Sequence, residues 1–267
     1  MTKDIDTKEI HTILLNIAKE FHRICIKHDI PYYMIGGTML GAIRHKGFIP
    51  WDDDMDFGIP REHYDKFIQI ASKELPNYYQ LHTIDNSAYA LMGISKIADM
   101  RTRIQEEYAP KTKESIGINI DIFPLDETNS KITFFSKNKI IELLVKLQKI
   151  LFIDYNSRQG IPRNIAFILQ ELIKISPKKN VKLINDLIRK KSKSATNSMW
   201  ANYFGAYGCK EIISKNIFGQ PTLYQFEDTS FYGVNDYKSY LKQLYSKYWI
   251  LPPEGKRRIH HKIIEKI

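Results

Sequence analysis

The segment Ile49-Pro50-Trp51-Asp52-Asp53-Asp54-Met55-Asp56-Phe57-Gly58 puts four carboxylates into five positions of a chain whose formal net charge is +10. Side chains two apart on a strand share a face. An extended Asp54-Met55-Asp56-Phe57 therefore projects Asp54 and Asp56 together and turns Met55 and Phe57 to the core. Asp52 falls on the same alternation if the chain is already extended there, while Asp53 points the other way. Adjacent carboxylates repel unless a cation lies between them. Aspartate oxygens suit a hard ion such as Mg2+ or Mn2+. A solvated acidic loop is the usual alternative for such a run. The apolar neighbours Trp51, Met55 and Phe57 weigh against it, because they set the acids at the edge of a core. A calcium-binding EF-hand loop fails on the spacing of its acids and on the missing glutamate at its twelfth position.

Upstream, Tyr32 to Ile35 reads as a buried strand stopped at Gly36-Gly37, with Thr38 as the N-cap of a helix through Met39, Leu40, Ala42 and Ile43. Glycines let the backbone approach a ligand, and a helix start offers free N–H groups to an anion. Arg44 and Lys46 follow at the end of that helix. A diglycine turn alone is a weak signal. Followed closely by an Asp-x-Asp strand it is much stronger, since one half holds phosphates and the other the metal that bridges them. Downstream, Gly117-Ile118-Asn119-Ile120-Asp121-Ile122-Phe123 offers a third carboxylate. Asp121 interrupts a β-forming run, where an acid is costly to bury unless it is paired, hydrogen-bonded or bound to metal. An Asp at the strand end that caps the turn Phe123-Pro124-Leu125-Asp126 is the competing reading, and the two stay level here.

Periodicity organises the rest. Apolar spacings of three and four predict a helix over Thr7 to His28, and Pro60 opens another over Arg61 to Lys73. Strands are predicted near Tyr79–His82, Tyr89–Ile97, Thr102–Tyr108 and Gly117–Phe123. Helical patterns fill Lys131 to Lys193, broken near Gly160-Ile161-Pro162 and Ser176-Pro177. A strand-rich piece from Lys210 to Val234 leads to a last helix, Asp236 to Ser246. The expected organisation is an α+β, mixed β-sheet catalytic core over 1–130 with flanking helices, a helical insertion over 131–200, and a C-terminal segment over 201–267 that returns to the core.

With 267 residues, 43% apolar and 26% charged, the composition is that of a soluble globular protein large enough to bury a core. Two isolated cysteines, Cys25 and Cys209, exclude a disulfide framework and fit a reducing compartment. No signal peptide is expected from the early acids of the N-terminus. The longest apolar run, Ile140 to Ile153, is too short to span a membrane and is broken by Glu142, Lys146 and Lys149. A cytoplasmic location is expected. The pI of 9.3 suggests an anionic partner, whether nucleotide, nucleic acid, anionic glycan or membrane surface, or else a positive surface that merely keeps the protein soluble; charge alone does not decide. A nucleic-acid-binding module is disfavoured, because the basic residues are scattered and the acidic cluster would repel a phosphate backbone.

The run from Ile35 to Asp56, IGGTMLGAIRHKGFIPWDDDMD, closely resembles the LicD family, to which fukutin and fukutin-related protein are more distant relatives. The likeness continues at Asp121-Ile122-Phe123-Pro124-Leu125-Asp126 and at Leu251-Pro252-Pro253-Glu254-Gly255-Lys256-Arg257-Arg258. It implies a nucleotidyltransferase-like fold, with Gly36 and Gly37 as the turn, Asp54 and Asp56 as the acidic pair and Asp121 as the third acid. It further implies transfer of phosphocholine from CDP-choline to a sugar of a teichoic acid, lipopolysaccharide or capsule. In that scheme Asp54 and Asp56, extended by Asp52, hold Mg2+ or Mn2+ against the diphosphate, and Asp121 joins them near the incoming hydroxyl. Gly36, Gly37 and Thr38 sit at the phosphates, which Arg44 and Lys96 neutralise. Lys96 also reads as an exposed strand lysine. His45 reads as a phosphate contact or as a helix-end histidine favoured by the dipole. Choline asks for an aromatic cage, for which Trp51, Tyr89, Trp200, Tyr203 and Tyr207 are candidates. Phosphoethanolamine or glycerol phosphate donors fit the same chemistry. The basic, amphipathic helical segment is expected to pack on the core. Alternatively, it frames the acceptor site or lies on the inner face of the plasma membrane, where a lipid-linked glycan is presented. In one departure from the family, a Tyr-Gly before the final turn is replaced by Tyr245-Ser246.

Overall fold

An aspartate opens the first helix. The computed structural model describes residues 6–106, 110, 112–129, 137–152, 161–173, 175–192, 198–257 and 261–266. Asp6 accepts from the Glu9 amide at 2.8 Å and so caps α1 (Thr7–Lys27). The apolar stripe of α1, including Ile10, Leu14, Ile17, Phe21 and Ile24, is buried. A two-residue strand β1 (Tyr33–Met34) runs into α2 (Gly36–Arg44), and β2 (Asp56–Pro60) into α3 (Arg61–Glu74). Then come β3 (Tyr79–His82), β4 (Ser95–Glu106) and β5 (Ile116–Thr128). Helices α4 (Lys137–Phe152), α5 (Ile161–Leu172) and α6 (Pro177–Ser192) follow. The chain continues through β6 (Met199–Ala201), β7 (Ile212–Ser214), the short α7 (Lys215–Phe218), β8 (Thr222–Phe226), β9 (Thr229–Gly233), α8 (Tyr237–Tyr245) and β10 (His261–Lys266).

Among the described residues ten strands join one mixed sheet, whose main path is β10-β4-β5-β2-β1-β9-β8. The pairs β2·β5 and β1·β9 are parallel and the others on the path antiparallel. In the β2·β5 register Asp56 lies opposite Asp121, and across the next pair Asp121 lies opposite Lys96. Helices α1 and α3 cover one face through a cluster that includes Phe21, Tyr32, Phe57 and Phe67. A smaller core gathers Ile141 and Val145 of α4 with Val181, Ile184 and Ile188 of α6 on Ile94 and Phe204. This contact brings the end of α4 to the sheet's open side. The fold is the α+β arrangement expected, a mixed sheet with flanking helices.

Three details differ from the sequence reading. Tyr89 to Ile97 is not one strand. Ser87 accepts from the Tyr89 amide and closes a short 3-10 turn over Ala88–Ala90, Gly93 adopts a positive φ of 91°, and pairing begins only at Ser95. From there β4 runs unbroken to Glu106, absorbing the strand expected at Thr102, with a register shift between Asp99 and Ile104. The last two positions of that expected strand, 107 and 108, lie outside the described residues, as do parts of the helical segment 131–193. Thr38 is not an N-cap. The helix starts two residues earlier at Gly36, whose φ of +53° lets the chain turn straight from β1 into α2.

Candidate active site

The β2 end that carries the acids is pinned by backbone bonds on both sides. Ile35 N donates to Asp56 O at 3.1 Å and Asp121 N donates to Met55 O at 2.8 Å. Asp56 N donates to the Thr38 hydroxyl at 2.7 Å. Thr38 thus anchors α2 to β2 from inside the protein and does not line the cavity, so its expected phosphate contact is replaced by a positioning bond. Met55 and Phe57 are fully buried, as is Asp53 on the same side. Asp52, Asp54 and Asp56 face a cavity of about 980 Å³ that also receives Gly36, Gly37, Arg44, Lys96 and Asp121.

The diglycine turn and the acids are in close approach. A Cβ at Gly36 would come 3.1 Å from Asp56 Oδ2, and one at Gly37 2.9 Å from Asp52 Oδ2. No side chain caps α2. Gly36 N donates to the Tyr240 hydroxyl at 3.0 Å, which leaves the next N–H groups of the first turn for an anion.

Electrostatics match this crowding. Burial, then Asp54 and Asp53, push the Asp52 carboxyl up to about 8, with a hydrogen bond to Asp54 adding to the effect and Arg44 opposing it. Burial, then Asp54, Asp121, Asp52 and Glu211, hold the Asp56 carboxyl well above its usual range. Asp121 is turned to Lys96, whose Nζ donates to it at 2.7 Å and to Asn119 Oδ1 at 3.1 Å. Lys96 is therefore buried, at 8% exposure, and is not the exposed strand lysine of the alternative reading. Arg44 donates through Nη1 to Tyr248 O at 3.0 Å and through Nε to His45 Nε2 at 2.9 Å. That second bond needs a neutral His45. Burial and then Arg44 lower the His45 pKa, so it is neither a dipole-favoured cation nor, since it lies off the cavity, a phosphate contact.

Chemically the donor set suits a hard divalent ion, because these are aspartate oxygens whose mutual repulsion such an ion would relieve. Among the described residues, however, no three His, Cys, Asp or Glu side chains are gathered in metal-holding geometry. Asp121 leans on Lys96, and Asp52 stands against Asp54. The side chains would have to turn toward an ion.

Of the aromatic candidates, Trp51, Tyr89 and Tyr207 line the cavity. Trp200 packs on Phe218 instead, with centroids 5.1 Å apart, and Tyr203 packs against the smaller core. The sequence reading missed the far wall: Glu211, Asn202, Tyr245 and, from α4, Lys149 and Phe152. Glu211 precedes the β-forming Ile212-Ile213, the same pattern of an acid against an apolar run that drew attention to Asp121. Burial pushes its carboxyl up to about 7, opposed by bonds from the Tyr207 amide and Asn202 and by Lys149. Ser246 ends α8 at a φ of +57°, the left-handed region that favours glycine.

Residues 29–157 match the nucleotidyltransferase domain described as LicD/FKTN/FKRP. The chain is 29% identical over 269 aligned residues to the lipopolysaccharide cholinephosphotransferase LicD of Haemophilus influenzae, with 97% of each chain covered. It is 40% identical over 82 residues to an uncharacterized protein of Rickettsia typhi, covering 30% of this chain and 25% of that one. A similar uncharacterized protein of Rickettsia prowazekii is 43% identical over 68 residues, 26% of this chain and 24% of its own. The diglycine turn, Asp52, Asp54, Asp56 and Asp121 all fall inside the matched segment and open on one cavity, so residues 29–157 of this chain form a LicD/FKTN/FKRP nucleotidyltransferase domain.

Proposed function

We propose that this protein transfers phosphocholine from CDP-choline to a hydroxyl of a cell-surface glycan, with Mg2+ or Mn2+ as cofactor and CMP as the leaving group. The reading is supported above all by one convergence: Asp52, Asp54, Asp56 and Asp121 share a cavity with a diglycine turn and Arg44, in a chain that aligns end to end with a named cholinephosphotransferase. Asp54, Asp56, Asp52 and Asp121 would hold the ion. The chemistry supplied by the bound ion is polarisation of the attacked phosphorus and neutralisation of the departing phosphate. The start of α2 receives phosphate oxygens on its free N–H groups. Arg44, braced by Tyr248, adds a fixed positive charge. The glycan oxygen bonds to the choline-bearing phosphorus as the bond to CMP breaks, and CMP departs with the electron pair. Asp121 accepts the hydroxyl proton, with Lys96 holding the carboxylate in place. The alternative donors, CDP-ethanolamine and CDP-glycerol, would follow the same course.

The test is product formation. With Mg2+ and a panel of CDP-alcohols, CMP is expected from CDP-choline in preference to the others, and only when lipopolysaccharide, teichoic acid or capsular glycan is added. No CMP from any CDP-alcohol with any of these acceptors would overturn the reading.

A peripheral membrane contact would bring a lipid-linked acceptor to the cavity, and α5 supplies a surface for it. Ile165, Ile168 and Leu172 are 53, 54 and 72% exposed, and Phe167 and Ile175 extend the apolar face. Lys179 and Lys190 on α6 are exposed as well. Among the described residues no helix is long and apolar enough to cross a membrane. Such a face suits the surface of an anionic bilayer. Co-sedimentation with phosphatidylserine-containing vesicles is expected and should drop at least tenfold in Ile168→Asp/Leu172→Asp. Absence of wild-type binding would end the membrane proposal.

A further inference from the structure

Of the described acids that line the cavity, the mechanism leaves one without a task. Glu211 lines the cavity from the turn that leads into β7, at 8% exposure. The chain from Asn202 to Tyr207 wraps around it. Asn202 Nδ2 donates to Oε2 at 2.6 Å and Tyr207 N to Oε1 at 2.8 Å. A Cβ at Gly205 would sit 2.1 Å from both carboxylate oxygens, so only glycine leaves room for this loop. Both donors are neutral. The neighbouring cation, Lys149, donates instead to Gly205 O at 3.3 Å, and among the described residues no ion pair includes Glu211. A buried carboxylate that no cation meets in a direct ion pair is costly, and here it opens onto ligand space.

Aromatic rings stand next to it. Tyr207 follows directly in the loop, and its ring meets that of Tyr245 edge to face at 5.2 Å. The Tyr245 hydroxyl is 3.9 Å from the position of a Cβ on Gly36. This corner therefore adjoins the diglycine turn, where a diphosphate would lie. We propose that Glu211, with the rings of Tyr207 and Tyr245, is the subsite for the quaternary ammonium group of the donor. The assignment rests on the CDP-choline reading given above. A quaternary ammonium donates no hydrogen bond and is recognised by aromatic faces and a nearby full negative charge. A glycerol phosphate donor brings no cation and leaves Glu211 uncompensated, so the same carboxylate discriminates against neutral alcohols.

Calorimetric titration of the full chain with CDP-choline, CDP-glycerol and CDP, each with Mg2+, tests this. Wild type is expected to bind CDP-choline at least tenfold more tightly than CDP-glycerol. Glu211→Gln should weaken CDP-choline ten- to a hundredfold and shift CDP by less than threefold. Tyr207→Leu keeps the backbone amide that holds Glu211 and should cost CDP-choline about three- to tenfold. Equal losses for CDP and CDP-choline in Glu211→Gln would reduce Glu211 to a loop support and overturn the proposal. An unchanged preference for CDP-choline would overturn it as well. If Glu211→Gln fails to fold, Tyr207→Leu decides by the same preference. A wild type that binds none of the CDP-alcohols refutes the donor reading itself, whereas one that keeps its choline preference without Glu211 refutes only the subsite.

Discussion

Asp56→Ala is expected to lower the rate of CMP release from CDP-choline by about 10^3 to 10^5, a barrier increase of roughly 4–7 kcal/mol, in a protein that still folds. The fold survives because what pins this position is backbone. The Asp56 N–H is held by Thr38 and its carbonyl by Ile35 N, and alanine keeps both bonds. The side chain itself stands against Asp54, Asp121 and Asp52, so removing it relieves repulsion in the ion-free protein. The loss falls on catalysis, where an ion held by the remaining acids would be misplaced and weakly bound. A second readout is independent of turnover. Mg2+ binding to the folded state alone stabilises wild type by about 2.7 kcal/mol at a hundred times its Kd, and Tm should rise accordingly. In Asp56→Ala that rise should largely vanish. Near-normal turnover, or an undiminished Mg2+-dependent rise in Tm, would refute the assignment of Asp56.

The near half of this site could be read from the sequence because its signals are local. The alternation from Asp52 to Phe57 sorts acids from core residues within six positions, and the cavity receives Asp52, Asp54 and Asp56 while Met55, Phe57 and Asp53 are buried. The diglycine turn is likewise a local event. What could not be read is pairing. That Asp121 lies opposite Asp56, and Lys96 opposite Asp121, depends on strand order in a sheet whose neighbours are distant in sequence. Without that order Lys96 looks like any strand lysine. The wall formed by Asn202, Tyr207, Glu211 and Tyr245 is hidden for the same reason, since these residues lie far along the chain from the acids and meet them only at the cavity. Thr38 misled differently. A threonine beside a helix start is a good N-cap by type, yet the positive φ available to Gly36 let the helix begin earlier and freed the hydroxyl to hold β2.

Asp126 puts the sharpest limit on reading carboxylates by type, and its replacement should have the largest effect on stability. It stands five residues after Asp121 on the same strand, so the two face opposite sides of the sheet. Asp121 opens on the cavity, whereas Asp126 is fully buried against α3. There Arg61 Nε and Nη2 donate to its two carboxylate oxygens at 2.7 and 2.8 Å. Burial alone would lower the Arg61 pKa, and Asp126 more than reverses this. Arg61 is also the first residue of α3, where the helix dipole disfavours a cation unless an anion offsets it. Asp126→Ala therefore leaves a buried guanidinium unpaired and is expected to cost about 3–5 kcal/mol, a fall in Tm of roughly 10 °C. Arg61→Met/Asp126→Leu removes both charges and should recover most of the loss, because a buried pair replaced by apolar residues is close to neutral. Asp121→Ala behaves in the opposite sense. Lys96 keeps Asn119 as a partner, so Tm should change little while turnover collapses. Thermal unfolding of the three variants separates the two acids: a loss below about 1 kcal/mol in Asp126→Ala would show that the ion pair adds little, and a large loss in Asp121→Ala would make that residue part of the scaffold.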